Sequence, residues 1–495
     1  MTRSLSAAFG AFLLLLPALA AQGALLGYDG ARHLLVRTGF GATEAEIREW
    51  SGLEREAAVE RLLASRRREA TLSPPAAVNE PFLPLHKRRE LTAEQRQAEQ
   101  RRNVETGLEL REWWMREMLA TPSPITERMT LFWHGHFATS QQKVRGTRLM
   151  YEQNALLRSH ALGNFATLLR AVSKDPAMLI YLDNAGSRRQ APNENFAREV
   201  MELFTLGEGH YAEKDIKEAA RAFTGWSLDR DSGTFLFRRF FHDAGQKTVL
   251  GRTGRFDGDD VLGILLEQPQ AATFITRKLW REFVSGTPDE TQVARLADVF
   301  RGARYEIGPL LRELLLTEAF WSPANRGTLV KSPVELVVGT LRVFEIRPMT
   351  LRPAVVGTAM LGQNLMSPPN VKGWPGGEAW INSATLLGRK QLLERILRGS
   401  DAMPASAVAM AEAGGMADAE PNHAQARIRQ MVERGLSTYA IDWARWSAWL
   451  PAGEARLAHA ERLLLAIAPV HPIAPAADGL ALLRALTADP AYQLK

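Results

Sequence analysis

The sequence contains no cysteine among its 495 residues. Disulfide bonds, thiolate nucleophiles, iron–sulfur clusters and cysteine zinc sites are therefore excluded. Any metal ion would have to be bound by His, Asp or Glu, and histidine is itself scarce, with ten residues in the chain. A haem or copper oxidoreductase remains an alternative only if histidines bind the cofactor, because the Cys-x-x-Cys-His attachment motif is missing.

Long apolar runs and dense basic blocks are also missing. After the amino terminus no stretch of eighteen consecutive apolar residues occurs, so the sequence predicts no stable membrane anchor. The 61 basic and 55 acidic residues are scattered along the chain. Clustered lysines and arginines are typical of nucleic-acid-binding proteins, so we do not expect nucleic acid as a partner. The composition, 46% hydrophobic and 23% charged, is that of an ordinary globular protein.

The amino terminus carries a predicted export signal. Arg3 precedes an apolar stretch from Ala7 to Leu19, which is too short to cross a bilayer with ease. Ala18 and Ala20 provide the small residues that a signal peptidase requires. We therefore expect residues 1–20 to be a signal peptide and the mature protein to be periplasmic or secreted.

Apolar residues recur at helical spacing through most of the chain, which predicts a mainly α fold, a multi-helix globular bundle. Gly135 is expected to interrupt the helix that begins near Ile125. Alternating apolar and polar residues predict a small β-hairpin within residues 226–250. The predicted helices are two short ones within 42–67, then 92–119, the one from about 125, 147–159, 163–173, 194–205, 213–223, 259–267, 270–284, 289–302, 307–317 and 333–345.

The pattern also predicts how the mature chain is divided. Residues 21–400 are expected to form the main helical domain. Residues 401–421 are rich in Ala, Met and Gly and show little periodicity, so they are expected to be a linker or disordered loop. Residues 422–495 are then a C-terminal helical region.

Seven ordered motifs carry a resemblance to one family. They are HLLVRTGFGAT, LFWHGHFATS, NENFAREVMELFTLGEGHY, EAARAFTGW, VLGRTGRFDGDD, VKSPVELVVGTLR and PPNVKGWPGGEAWINSATLLGR. Together they resemble the bacterial exported domain-of-unknown-function family numbered 1800, from about His33 to Arg389. The resemblance implies export and a neighbouring exported protein similar to alkaline-phosphatase-type hydrolases as a candidate partner. It implies no reaction and no catalytic residue.

One predicted helix has a compact polar face. At 100° per residue, Asn195, Arg198, Glu199 and Glu202 share one arc. Residues three apart on a helix have β-carbons roughly 5–6 Å apart, so Glu199 and Glu202 are close enough to share a proton or a cation. Two interpretations are open. The face is either a solvated surface with ion pairs, or a site with Glu199 and Glu202 as catalytic groups and Asn195 and Arg198 as substrate-binding groups.

The motif His134-Gly135-His136 is a candidate pair of metal ligands. On a turn or extended backbone the two imidazoles would point to the same side, whereas on a continuous helix they would diverge. With His210 and one of the two glutamates they would form a site for a divalent metal such as Zn, Fe or Mn. The alternative is that each ring is hydrogen-bonded in a half-buried loop.

Turn-forming residues dominate the segment PPNVKGWPGG, residues 368–377. If this loop lines a pocket, Lys372 and Trp374 would bind substrate, and an exposed tryptophan suits a sugar ring. The alternative is a tightly packed loop in which Trp374 fills a gap in the core.

We expect the three motifs to meet, with His134 or His136 within reach of Glu199 and Glu202. The leading hypothesis is an exported hydrolase acting on an envelope or extracellular polymer. It would use either a metal-activated water or the two carboxylates as acid and base. The alternative is a non-catalytic scaffold or partner of the neighbouring hydrolase-like protein.

Removal of the signal peptide is tested by the intact mass of the protein recovered from expressing cells. We expect the first twenty residues to be missing and the protein to be released by osmotic shock. A mass that retains these residues, or a membrane location that resists salt and carbonate, would show that the segment is an anchor.

Overall fold

The computed structural model describes residues 25–80, 83–398, 400–401, 437–453, 455–474 and 479–495. The predicted signal peptide and residues 402–421 of the predicted linker lie outside these residues. The fold is mainly α, as predicted, with a few short strands. In the described part of the chain, no helix combines the length and the apolar character needed to cross a bilayer.

The helices are numbered here in chain order. They are α1 Gly27–Thr38, α2 Glu44–Ser51, α3 Arg55–Ala64, α4 Leu85–Glu90, α5 Ala93–Ala120, α6 Pro124–His136, α7 Gln141–Val144, α8 Thr147–Ser159, α9 Phe165–Ser173, α10 Pro176–Tyr181, α11 Glu194–Met201, α12 Glu213–Ala222, α13 Gly258–Glu267, α14 Pro269–Phe283, α15 Glu290–Gly302, α16 Ile307–Leu315, α17 Glu318–Trp321, α18 Pro333–Val343, α19 Arg352–Met360, α20 Ser383–Leu397, α21 Trp443–Ser447, α22 Ala455–Leu464 and α23 Gly479–Ala488. A π-helical turn, Glu202–Leu206, follows α11 directly.

The strands form three small antiparallel sheets. They are β1 Trp226–Leu228, β2 Phe235–Phe237, β3 Lys247–Val249, β4 Arg252–Gly254, β5 Arg347–Pro348, β6 Ser400–Asp401 and β7 Ser437–Ala440. The predicted hairpin region holds two hairpins, β1 with β2 and β3 with β4, and the second ends beyond residue 250. The third sheet has the order β5-β7-β6 and was not predicted, because its strands have only two to four residues and are too short to show a periodicity.

Side-chain caps explain where several predicted helices begin. Thr92 forms a capping box with Gln95 at the start of α5, and Asp257 forms one with Asp260 at the start of α13. In each box a side-chain oxygen accepts from a backbone N–H group that has no partner within the helix. These signals are local, so the sequence alone predicts them well.

Helix α6 lies between two hydrophobic clusters. Ile125, Met129 and Trp133 belong to the first cluster, which includes buried apolar residues of α9 and α11 to α16. Leu131 belongs to the second, which includes residues of α5, α18 and α20. Because α6 is apolar on opposite sides, it is buried on both.

The C-terminal region is not a separate helical tail. Leu463 of α22 and Leu486 of α23 belong to the second cluster, together with residues of α5 and α18. The backbone N–H of Lys495 donates to the carbonyl oxygen of Leu329 at 2.8 Å. The predicted division between a main domain and a C-terminal region therefore does not separate two cores in the described residues, because the apolar faces of the last helices are buried against the main body.

Glu335 of α18 is a buried carboxylate with three polar contacts. It accepts from the backbone N–H of Ser332 at 2.8 Å, pairs with Arg128 of α6 at 2.5 Å and bonds the Lys495 ammonium. Burial by itself would raise the pKa of Glu335, but the Arg128 and Lys495 charges lower it to about 2. This carboxylate therefore links α6, α18 and the C-terminal segment.

Replacing Glu335 by Gln should lower the free energy of unfolding by roughly 3–5 kcal/mol at neutral pH, because Arg128 and Lys495 would stay buried without their carboxylate. The pKa of Glu335 in the folded protein lies below its ordinary value of 4.5. Its stabilising effect is therefore complete above pH 4.5 and is lost as the pH falls toward 2. Chemical denaturation should show a difference between wild type and variant that shrinks over this range.

The matched control is Glu267→Gln, which removes a carboxylate from an exposed pair with Arg252. Exposed pairs contribute little, so this variant should behave as the wild type does. If the free energy of unfolding differs between wild type and Glu335→Gln by the same amount from pH 7 to pH 2, the role given to Glu335 is contradicted.

Candidate functional site

The prediction that Gly135 interrupts its helix is wrong. Helix α6 continues through Gly135 and ends at His136. A glycine inside a helix costs about 1 kcal/mol, but α6 is fixed by packing on both sides. The ring of Trp374 lies over Gly135, where an added β-carbon would be 3.4 Å from Trp374 Cε3. Gly135 therefore provides a flat surface for Trp374 instead of a break.

Because the helix continues, the two imidazoles of the motif diverge. The His134 ring stacks on Trp114 with 5.3 Å between centroids, and its centroid lies 5.9 Å from that of Trp374. Both ring nitrogens are buried without a hydrogen-bond partner in the described residues. Burial lowers the pKa of His134 to about 4, so the ring is neutral at pH 7. His134 is thus a packing residue between two tryptophans.

His136 is bonded on both nitrogens. Its Nδ1 accepts from the Lys278 ammonium at 2.9 Å, and its Nε2 donates to the carbonyl oxygen of Phe204 at 3.2 Å. Burial, and then the Lys278 charge, lower the pKa of His136 well below 6.5. Burial likewise lowers the pKa of Lys278 to about 8. Neither nitrogen of His136 is left to bond Glu199 or Glu202.

The predicted histidine ligand set is not brought together. His210 is exposed in the turn after the π-helical turn, whereas His134 and His136 are buried on different sides of α6. Within the ranges that the structure describes, no group of three or more His, Asp or Glu side chains is placed to hold a metal ion.

Helix α11 presents the predicted polar face, but its residues differ in exposure. Asn195 is exposed, and Arg198 is half-buried. Both terminal nitrogens of Arg198 donate to the Glu213 carboxylate, at 2.8 and 2.9 Å. The hydrogen-bonding capacity of Arg198 is therefore directed to Glu213 rather than to the two glutamates of its own helix.

Glu199 and Glu202 have contrasting surroundings. Glu199 is 8% exposed, and no hydrogen bond or ion pair from the described residues reaches its carboxylate. Burial raises its pKa, the Glu202 charge adds to the effect, and the charges of Arg198 and Lys372 oppose it. Glu202 is half-buried and accepts a hydrogen bond from the Tyr211 hydroxyl. Glu199 therefore keeps its proton to a higher pH than an ordinary glutamate does.

The loop that holds Lys372 and Trp374 packs on α6, and the charge of Lys372 acts on helix α11. Gly373 has φ +86°, and a β-carbon there would lie 2.0 Å from the carbonyl oxygen of Gly135. Lys372 pairs with Glu208 at 3.1 Å, and its charge also acts on Glu199. The structure thus brings the three motifs together, through Trp374 and Lys372 and not through a contact between an imidazole and a carboxylate.

A groove of about 510 Å³, called the Tyr181 groove here, opens beside this loop. Its lining includes Lys143, Tyr181, Asn364, Ser367, Pro368 and Pro369. Burial, and then the Glu199 charge, raise the pKa of Tyr181, so its hydroxyl lies within the electrostatic influence of Glu199. The volume is within the usual range for small-ligand sites.

Sequence reasoning missed Tyr181, Tyr211 and Lys278. Tyr211 lies directly after His210 in a motif that was singled out, so its position was the one available signal. The contacts of Tyr181 and Lys278 join helices far apart in the chain, and no local pattern predicts such contacts.

A family model described as "Protein of unknown function (DUF1800)" matches residues 33–494, nearly the whole chain. The chain therefore belongs to this family. No curated protein and no solved structure matches it significantly.

Replacing Gly373 by Ala should lower the free energy of unfolding by roughly 2–4 kcal/mol, because the new β-carbon would overlap Gly135 and the left-handed backbone disfavours a side chain. Thermal unfolding followed by tryptophan fluorescence measures the loss. The control Gly376→Ala has φ +70° with nothing within 4 Å of its β-carbon, so it carries the backbone strain alone. Equal losses in the two variants would contradict the close packing of the loop on α6.

Proposed function

We propose that this DUF1800 protein is an exported hydrolase that uses Glu199 and Glu202 as an acid–base pair on an envelope or extracellular polymer. The observation that carries the proposal is the Glu199 carboxyl group. It is 8% exposed, lacks a hydrogen-bond partner among the described residues and has a raised pKa. The Glu199 oxygens are not sealed from solvent, so they can meet water or a ligand. Carboxyl groups with a perturbed pKa are concentrated at functional sites.

The two carboxyl groups suit different tasks. Burial keeps Glu199 protonated to a higher pH than an ordinary glutamate, which suits a general acid. Glu202 is held by the hydrogen bond that its carboxylate accepts from the Tyr211 hydroxyl, and an oriented carboxylate suits a base or nucleophile. In this division Glu199 donates its proton to the leaving-group oxygen. Glu202 either takes a proton from the attacking water, as a base, or bonds to the reacting carbon, as a nucleophile.

The Tyr181 groove supports a carbohydrate-like substrate. Pro368 and Pro369 give it an apolar wall, while Tyr181, Asn364 and Ser367 give it hydrogen-bonding groups. A sugar unit likewise combines apolar faces with hydroxyl groups, so both kinds of surface are used. The substrate-binding roles first assigned to Asn195, Arg198, Lys372 and Trp374 belong to this proposal, and the charges of Arg198 and Lys372 both act on Glu199.

A non-catalytic role is the second candidate, as a binding partner of a neighbouring exported alkaline-phosphatase-like protein. It is favoured by the use of His134 and Trp374 in packing between α5, α6 and the loop. A metal-assisted reaction would need a third ligand beside Glu199 and Glu202, and the described residues do not supply one.

The proposal is tested with Glu199→Gln, which removes the proton donor at nearly constant volume. Reducing ends released from soluble polysaccharides and peptidoglycan fragments measure the activity, which should fall by about 10²–10⁴-fold. A raised carboxyl pKa means that ionisation of Glu199 opposes folding above pH 4.5. The neutral amide should therefore leave the unfolding temperature at pH 7 unchanged or higher.

Glu267→Gln, at an exposed ion pair outside the site, is the matched control and should keep full activity. Cleavage by Glu199→Gln at the wild-type rate would overturn the proposal. A wild type that binds the polymers without releasing reducing ends would also overturn it and favour the non-catalytic role.

A further inference from the structure

A second cleft, called the arginine cleft here, is independent of the Tyr181 groove. It has a volume of about 340 Å³ and lies between α1, the segment around Arg326 and the residues after α22. Arg32 and Arg37 of α1 line one side, and Leu465 and Ile467 form part of an apolar wall. The cleft therefore combines positive charge with an apolar surface.

Two of the five cations in its wall are already paired. Arg462 donates to the Asp29 carboxylate at 2.6 and 3.2 Å, and the Lys495 ammonium bonds Glu335. The cleft wall contains two carboxylates, Asp29 and Glu461, and Asp29 is the one that is paired with a cation of the wall.

Arg32 and Arg37 are held by backbone oxygens and have no carboxylate partner among the described residues. Arg37 is fully buried and donates to two backbone carbonyl oxygens of residues 283 and 284, at 3.0 and 2.9 Å. Arg32 is 7% exposed, and its Nε donates to the carbonyl oxygen of Leu463 at 2.6 Å. This single bond fixes the Arg32 side chain and leaves its two terminal nitrogens for a ligand.

Arg326 is the third cation of the cleft. Its guanidinium makes no hydrogen bond or ion pair with any described residue, and its Nε is buried without a partner. The Nε atoms of Arg128 and Arg342 are also buried without a partner, but their terminal nitrogens form ion pairs, whereas no part of the Arg326 guanidinium, at the cleft wall, is paired with a described residue.

His33 lines the same cleft as the three guanidinium groups. Its Nε2 is 2.7 Å from the carbonyl oxygen of Phe320. Burial, followed by the Arg37 charge and the smaller effects of the Arg326 and Arg32 charges, lowers the pKa of His33 to about 3. Three positive charges therefore act on one imidazole, which stays neutral.

We infer that the arginine cleft binds an oxyanion, a phosphate or carboxylate group, on a ligand with a short apolar portion. A planar guanidinium group can donate two parallel hydrogen bonds to two oxygens of a carboxylate or of a phosphate group. Arg32 and Arg326 form no ion pair with a described residue, so an oxyanion between them would offset the cost of partly desolvating their charges. Leu465 and Ile467 would contact the apolar portion, since Ile467 is 40% exposed at this wall.

Isothermal titration calorimetry at constant ionic strength tests the inference with inorganic phosphate, butyl phosphate and butanoate. We expect butyl phosphate or butanoate to bind more tightly than inorganic phosphate, because only the butyl ligands reach the apolar wall. The tighter of the two identifies the anion. Arg326→Gln should weaken binding of that ligand by about tenfold or more.

Arg230→Gln removes an exposed arginine from a loop outside the cleft and should bind as the wild type does. The unfolding temperature without ligand shows whether Arg326→Gln is folded, and loss of a partly buried, unpaired charge should not lower it. The inference is overturned if none of the three anions binds the wild type, since the charges are then balanced within the chain. It is also overturned if Arg326→Gln binds as tightly as the wild type. Polysaccharide cleavage plays no part in this measurement, so its outcome is separate from that of the proposed hydrolase.

Discussion

Glu335 holds together parts of the chain that are far apart in sequence. Its carboxylate caps the first turn of α18, pairs with Arg128 of α6 and bonds Lys495. Arg128 in turn pairs with Glu282 at the end of α14, so the charges form one buried network. Because each of these charges would be costly alone, the network fixes the helices relative to one another. The position of α6 then fixes Gly135, and the loop with Lys372 and Trp374 packs on Gly135.

The sequence predicts the features that local physics decides. Capping boxes at Thr92 and Asp257 mark helix starts, and the alternation near residues 226–250 marks the hairpins. Prediction from the sequence fails where tertiary packing outweighs the local conformational preference. Gly135 looks like a helix end by propensity, but the buried neighbours of α6 keep the helix intact. Glu335 stands in an apolar run, and its partners Arg128 and Lys495 are too distant in sequence to be inferred.

The sequence predicted which three motifs lie near one another, but not the contacts among them, since no imidazole of the described residues bonds Glu199 or Glu202. Polarity and turn composition indicated that the acidic helix, the histidine motif and the lysine–tryptophan loop belong together, and the structure places them side by side. The histidines are used for packing and for a backbone hydrogen bond, so the proposed site depends on Glu199 and Glu202 alone. Sequence could not distinguish Glu199 from Glu202, since only tertiary burial and Tyr211 make their surroundings different.

The account depends most directly on the ionisation of Glu199. A titration of ¹³C-carboxyl-labelled glutamate by NMR, with the signal assigned through its loss in Glu199→Gln, measures that pKa. The account predicts a pKa for Glu199 above the ordinary 4.5, which falls toward 4.5 when Glu202→Gln removes the neighbouring charge. A Glu199 pKa at or below 4.5, unchanged by Glu202→Gln, would contradict the coupled carboxyl pair at the centre of the proposed site.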